Sequence, residues 1–187
     1  MFFGPLQSLD WLPVRTWRAD EHGVSRDMAA VLTIAGSLTR FLERHYAIRL
    51  EVRLHDQFVD RAGSSEAALI SCDGGAPALR RHVSLLHRKS VMFDAESVLP
   101  LDGLPTDLMR ELQEGCKPLG NLLLDRGLLL ARSDLCVARF ADEGLHAGRW
   151  ARRSVLRSES GTRALVVEVF HNEIWSRIAQ TARRYRS

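Results

Sequence analysis

Arg81 and Glu168 are the residues of this chain best suited to do chemistry. Each is a charge among apolar neighbours, in Leu79-Arg80-Arg81-His82-Val83 and in Leu165-Val166-Val167-Glu168-Val169-Phe170. A charge carried on an apolar strand is costly unless something meets it. A guanidinium offers a planar fork that matches a carboxylate through two parallel hydrogen bonds. A carboxylate accepts hydrogen bonds from a hydroxyl. One inward cation and one inward carboxylate therefore suggest a closed pocket for a small acid with a polar far end. The alternative for both is an internal ion pair, which also buries charge.

Other chemistries leave no comparable trace. The chain has no HExxH, no GxSxG and no phosphate-binding glycine loop. Cys72, Cys116 and Cys136 are widely spaced, with no CxxC among them. Neither a disulfide framework nor a zinc site is expected from them, and free thiols in a reducing cytoplasm are. Cys116 lies beside Pro118, but no base partner for a nucleophile is evident. His82 and His87 are not at a metal-ligand spacing on one strand face, and His45, His55, His146 and His171 are scattered. Ordinary surface or hydrogen-bonded histidines are expected, with no metal ligand among them.

The net charge of +3 and a pI near 9.0 are a modest basic excess, part of it in Arg183-Arg184-Tyr185-Arg186. The other arginines are interleaved with acids, unlike the concentrated basic stripe of a nucleic-acid binder. No nucleic-acid partner is expected. No apolar run approaches the roughly 20 residues of a membrane span, and Met1-Phe2-Phe3-Gly4-Pro5 has no basic lead-in to a signal peptide. The expectation is a cytoplasmic protein with no membrane contact.

The elements that must hold Arg81 and Glu168 follow from periodicity. A chain of 187 residues with 45% hydrophobic content suits one domain over 1–187. Residues 1–24 read as an irregular arm, pinned by Trp11 and Trp17. Ser25 and Asp27 offer caps for a helix through Met28, Val31, Leu32 and Ile34, ending at Gly36. Ser37 caps a second helix, Leu38 to Tyr46. This pair has the outline of a helix–turn–helix but lacks a basic recognition face. Strands are expected from Ile48 to His55, Pro77 to His87, Val91 to about Leu99, Leu128 to Phe140, Arg152 to Ser158 and Ala164 to Phe170. Period-2 alternation groups Leu79, Arg81, Val83 and Leu85 on one face, leaving Arg80, His82 and Ser84 on the other. Helices are expected from Pro105 to Glu114, from Leu119 to Leu124 with Pro118 at its start, and over 172–187. About six strands in hairpin-like succession, without strand–helix–strand alternation, indicate an α+β fold: a single antiparallel sheet flanked by helices.

The order of these short motifs resembles the chorismate–pyruvate lyase family. Arg81 in Ala78-Leu79-Arg80-Arg81-His82 matches the family's arginine for the ring carboxylate of the substrate. Glu168 on the last strand matches the glutamate that meets the ring hydroxyl. Pro118-Leu119-Gly120 matches a Pro-Leu-Gly whose leucine amide contacts the same carboxylate, and a helix start is a sound place for that contact. Gly36-Ser37-Leu38-Thr39-Arg40-Phe41 matches a helical flap, with the Leu38 amide approaching the carboxylate. Gly148-Arg149-Trp150-Ala151-Arg152-Arg153-Ser154 matches a further family segment. Arg152 and Arg153 alternate in direction, so only one faces the pocket; Arg153 is the candidate to hold the enolpyruvyl carboxylate. The resemblance covers roughly residues 30 to 172, with a poorer match over Val91 to Leu99.

It implies a chorismate-lyase-like sheet and conversion of chorismate to 4-hydroxybenzoate and pyruvate without cofactor or metal, by a monomer. Arg81 and Glu168 would be the catalytic pair. Glu168 takes part in proton transfer if burial raises its pKa. A non-catalytic sensor of aromatic acids on the same fold is the competing reading.

Overall fold

The computed structural model describes residues 9–102, 104–114, 118–125, 130–159 and 161–184. Seven strands form one sheet among these residues: β1 (Leu12–Pro13), β2 (Glu51–Arg61), β3 (Pro77–His87), β4 (Ser90–Pro100), β5 (Leu130–Arg139), β6 (Trp150–Ser158) and β7 (Arg163–Phe170). Their spatial order is β1-β5-β6-β7-β4-β3-β2, and every pairing is antiparallel. The strand beyond the expected six is β1, a two-residue piece of the arm paired to Cys136 and Val137. Six helices accompany the sheet: α1 (Arg26–Thr33), α2 (Leu38–Tyr46), α3 (Ser64–Ile70), α4 (Thr106–Glu114), α5 (Leu119–Asp125) and α6 (Asn172–Arg184).

Local chemistry accounts for the element boundaries near the site. Ser25 Oγ accepts from the Met28 amide and Ser37 Oγ from the Arg40 amide, so both early helices start on serine caps. α1 ends at Thr33, short of Gly36. The Pro118 carbonyl accepts from the amides of Asn121 and Leu122, opening α5. The β3–β4 connection is the two residues Arg88 and Lys89, both at positive φ, as the twist of a two-residue hairpin demands.

Directly paired residues of antiparallel strands share a face. Arg81 pairs with Ser97 and Gln57, Ala95 with Glu168, and Glu168 with Arg152, which puts Arg81, Glu168 and Arg152 on one side of the sheet. Two helical groups cover that side. α1, α2 and α6 pack Val31, Leu32, Leu42, Ile174 and Ile178 against Val83, Phe93, Trp150 and Phe170. α4 and α5 pack Leu108, Leu112, Leu122 and Leu123 against Leu79, Leu99 and Val166. Each such leucine contributes about 1.5–3 kcal/mol on burial. The cavity described below lies between the two groups.

The opposite side is covered less completely. α3 lays Ala67 and Ile70 on Ala78, Val98, Val155 and Leu165, while Leu9 and Trp11 of the arm cover Phe140, Ala151 and Val167. Trp17 also pins the arm, with its ring 5.7 Å from that of Trp150. Cys72 and Cys136 are free thiols; Cys116, Ser160 and the end of the C-terminal segment, 185–187, lie outside the described residues. No described helix is long and apolar enough to cross a membrane.

Candidate functional site

Arg81 is 2% exposed and Glu168 6%, and both line one cavity of about 70 Å³ on the helix-covered face. That is several times the roughly 10–15 Å³ that one water needs. Val83, Phe93 and Ala95 give the cavity an apolar floor, and Leu156 and Val166 its far wall. Its mouth is formed by two helix starts: Ser37, Leu38 and Thr39 of α2, and Pro118, Leu119 and Gly120 of α5. Thr39 Oγ1 donates to Asn121 Oδ1 at 2.9 Å and so ties the two starts together across the opening. Four of the five residues singled out from the sequence, Arg81, Glu168, Leu38 and Leu119, thus meet at one cavity.

The fifth does not. Arg153 pairs with Val167 and Cys136, on the opposite face, where its guanidinium lies 4.9 Å from the centre of the Trp11 ring. The expectation that Arg153 faces the pocket is therefore corrected in favour of its neighbour. Arg152 is fully buried on the pocket face. Its Nε donates to Glu168 Oε2 and its Nη2 to Oε1 at 3.1 Å, a fork-to-fork pair. Its Nη1 reaches the carbonyls of Val31 and Ile34 at 3.1 and 3.2 Å, two of the last-turn acceptors that a helix end leaves unmet.

Arg132 is a site residue that the sequence reading missed. It lines the cavity, donates through Nη1 to Ser154 Oγ, and stands 4.0 Å from Glu168 Oε2. The available signal was its place two before Asp134 in a strand otherwise apolar from Leu135 to Ala138. The β5–β6 register shift between Ser133 and Cys136 breaks the alternation that would have given its direction.

Electrostatics here are those of crowded, desolvated cations. Burial pushes Arg81 down to about 10. Burial also pushes Arg132 down to about 10, with Glu168 opposing and Arg152 assisting. Glu168 behaves the other way from the expectation. Burial pulls its pKa up, but Arg152 and Arg132 together outweigh burial and hold the carboxyl below its ordinary value. The condition on which participation of Glu168 in proton transfer rested, a pKa raised by burial, is therefore not met. Two guanidiniums, Arg132 and Arg152, face this carboxylate, and Arg81 lines the same cavity. The other acid near the wall, Glu96, is bound on the opposite face by Arg80 at 3.1 Å. The site is thus electropositive and suits an anion carrying more than one charge.

The family profile described as chorismate lyase matches residues 11–180. The chain belongs to the chorismate lyase family. Chorismate lyase membership agrees with the fold and with the order in which the cavity residues occur. No curated protein matches the chain.

Among solved structures, the effector domain of PhnF from Mycobacterium smegmatis is 17% identical, with a TM-score of 0.58 over 75% of this chain and 91% of that one. PhnF from the same organism is 15% identical, at 0.58 over 86% and 91%. A GntR-family transcriptional regulator from Bacillus cereus is 11% identical, at 0.50 over 65% and 90%. These likenesses establish the chorismate lyase fold as one shared with regulator domains.

His82 is buried, on the sheet face it shares with Arg80 and Ser84. His55, His82 and Asp94 converge there, although they stand far apart in sequence.

Proposed function

We propose that this chorismate lyase family member converts chorismate to 4-hydroxybenzoate and pyruvate in the cavity between α2, α5 and the sheet. The observation that carries the reading is that Arg81, Glu168, Leu38 and Leu119, matched to the family one by one, line a single buried cavity. Chorismate is a dianion with a ring carboxylate, an enolpyruvyl ether at C3 and a hydroxyl at C4. In the reaction the C3–O bond breaks with its electron pair going to the departing enolpyruvate oxygen, the C4 hydrogen leaves as a proton whose equivalent is taken up as enolpyruvate becomes pyruvate, and the ring becomes aromatic. Aromatisation drives the step, so the protein has to bind, orient and exclude water.

Arg81 grips the ring carboxylate with its fork, and the first amides of α2 and α5, at Leu38 and Leu119, complete that anchor. Glu168, held ionised by Arg152, accepts a hydrogen bond from the C4 hydroxyl on a free lone pair. Arg132 is the remaining cation of the cavity, and it supports the second negative charge of the substrate and the enolate oxygen that departs. Glu168 orients the ring in this scheme and does not supply a proton.

A second reading, a sensor for an aromatic acid, is favoured by the fold shared with GntR-family effector domains. One experiment separates the two. Purified protein incubated with chorismate should release pyruvate and 4-hydroxybenzoate in equal amounts. Saturable binding of 4-hydroxybenzoate with no turnover of chorismate would favour the sensor.

A further inference from the structure

On the side of the sheet away from the cavity, a polar strip runs between α3 and the arm. β3 and β4 pair His82 with Glu96 and Ser84 with Asp94, so His82, Ser84 and Asp94 share this face. β2 contributes His55 at an irregularity. The β2–β3 register shifts between Leu54 and Asp56, leaving His55 without a paired residue on β3. His55 reaches this face by alternation from Arg53, which pairs with Ser84, and the shift leaves it beside both Ser84 and His82. His55 Nε2 lies 2.7 Å from Ser84 Oγ, and the His55 and His82 rings are 4.9 Å apart. Ser84 Oγ in turn donates to Asp94 Oδ1 at 2.6 Å. One ligand atom from each of His55, His82 and Asp94 lies within 4.8 Å of the others.

We propose that His55, His82 and Asp94 form a binding site for a divalent transition cation of the zinc type. Two imidazoles and one carboxylate are a donor set suited to such ions, and three protein ligands leave one position for water. The ligands come from three adjacent hydrogen-bonded strands, so two of them, His82 and Asp94, sit on a rigid platform. Ligands around zinc in a tetrahedron lie about 3.4 Å apart, given bonds of about 2.0–2.1 Å. The remaining closure falls to His55, the exposed member, on the sheet's edge strand; its exposure also provides the entry path. Ser84 Oγ, which now bridges His55 and Asp94, turns aside about its Cα–Cβ bond to free both.

The surroundings match what metal sites use as support. His171 Nε2 holds Asp94 Oδ2 at 2.7 Å, fixing the carboxylate and leaving Oδ1 toward the site. Arg149 Nη1 lies 3.3 Å from the same His171 Nε2 and 3.3 Å from His146 Nδ1. Asp56, paired with His82 across β2 and β3, adds negative charge near the mouth.

The test is zinc binding by isothermal titration of tag-free, chelator-washed protein, with magnesium as the control ion. The expected result is one zinc per chain and no magnesium uptake. His55→Ala, which alters an exposed side chain, and His82→Ala should each weaken zinc binding by at least about 100-fold. His171→Ala should weaken it by about 10–100-fold, as removal of an outer partner does. His87→Ala should leave it unchanged. Should His82→Ala fail to fold, His55→Ala and His171→Ala carry the decision. Absence of saturable zinc binding overturns the proposal. So does zinc binding that survives His55→Ala, the pattern expected if the ion sits on Cys72 or Cys136. Turnover of chorismate is not the readout, so this inference stands or falls separately from the proposed activity.

Discussion

Arg152 takes both oxygens of Glu168 from the strand next door, and it spends its remaining nitrogen on the end of α1. One buried guanidinium therefore sets the charge state of the glutamate and fixes the helix that leads into the cavity mouth. Arg152→Met should leave Glu168 a poorly compensated buried charge and destabilise the protein by about 3–5 kcal/mol. The sign of the pH effect follows. Glu168 is held below its ordinary value, so its contribution is present above the unfolded pKa and lost as pH falls through the folded one. The wild-type advantage over Arg152→Met should therefore shrink as denaturant unfolding is repeated from pH 7 down toward pH 4.

Arg81→Ala should lose about 2–5 kcal/mol of affinity for 4-hydroxybenzoate, the range for truncating one partner of a buried charge pair. Arg81→Lys should recover little, because an ammonium keeps the charge but not the fork. Equilibrium titration checks both; unchanged affinity in either variant would remove Arg81 from the anchor.

Glu168→Gln should bind 4-hydroxybenzoate but turn chorismate over slowly, because the amide keeps one acceptor and loses the charge that faces Arg132 and Arg152. A kcat within twofold of wild type would reduce Glu168 to a neutral acceptor.

Product held behind the paired helix starts should leave slowly. Progress curves should open with a burst of about one product per enzyme before the steady rate. Thr39→Val removes the 2.9 Å bond to Asn121 together with the 2.9 Å contact to Ser37 Oγ. One neutral hydrogen bond contributes about 0.5–1.5 kcal/mol, so release should quicken by about 3–10-fold and the burst should fade. An unaltered burst in Thr39→Val would show that this bond does not govern opening.

Arg80 is shared by three acids, Glu66 at 2.6 Å, Glu96 at 3.1 Å and Asp60 at 3.7 Å. Burial, aided by Glu66, pushes Glu96 up to about 7 despite Arg80. A carboxyl raised on folding binds its proton more tightly in the native state, so stability should fall as pH rises from about 4.5 to about 7. Glu96→Gln should flatten that part of the stability curve, measured by thermal unfolding across the range.

Much of this architecture was legible because its signals are local. The serine caps at Ser25 and Ser37 define the starts of α1 and α2, and the alternation around Arg81 gives its inward direction without reference to any partner. What escaped depends on register. Nothing in Arg152-Arg153 says which parity faces the cavity; the pairing of Arg152 with Glu168 decides it. β2 runs on to Arg61, past the expected end at His55, because a bulge absorbs the break in alternation. The meeting of His55 with His82 rests on the β2–β3 register, which no local signal carries. α3 was missed because its seven residues, opened by Gly63 and held by the Glu66 side chain on the Gly63 amide, are too few to display a helical period.

The mooring of the Val31 and Ile34 carbonyls to Arg152 also has a mechanical side. α1 is bolted to the sheet at its far end, so a lid built from this helix pair cannot lift as one piece. A lid that opened here would turn between Ile34 and Ser37, at Gly36, and would carry α2 with Leu38 at its root. Amide hydrogens should accordingly exchange slowly along Ala30 to Thr33 and faster across the first turn of α2, with the step between them marking the axle.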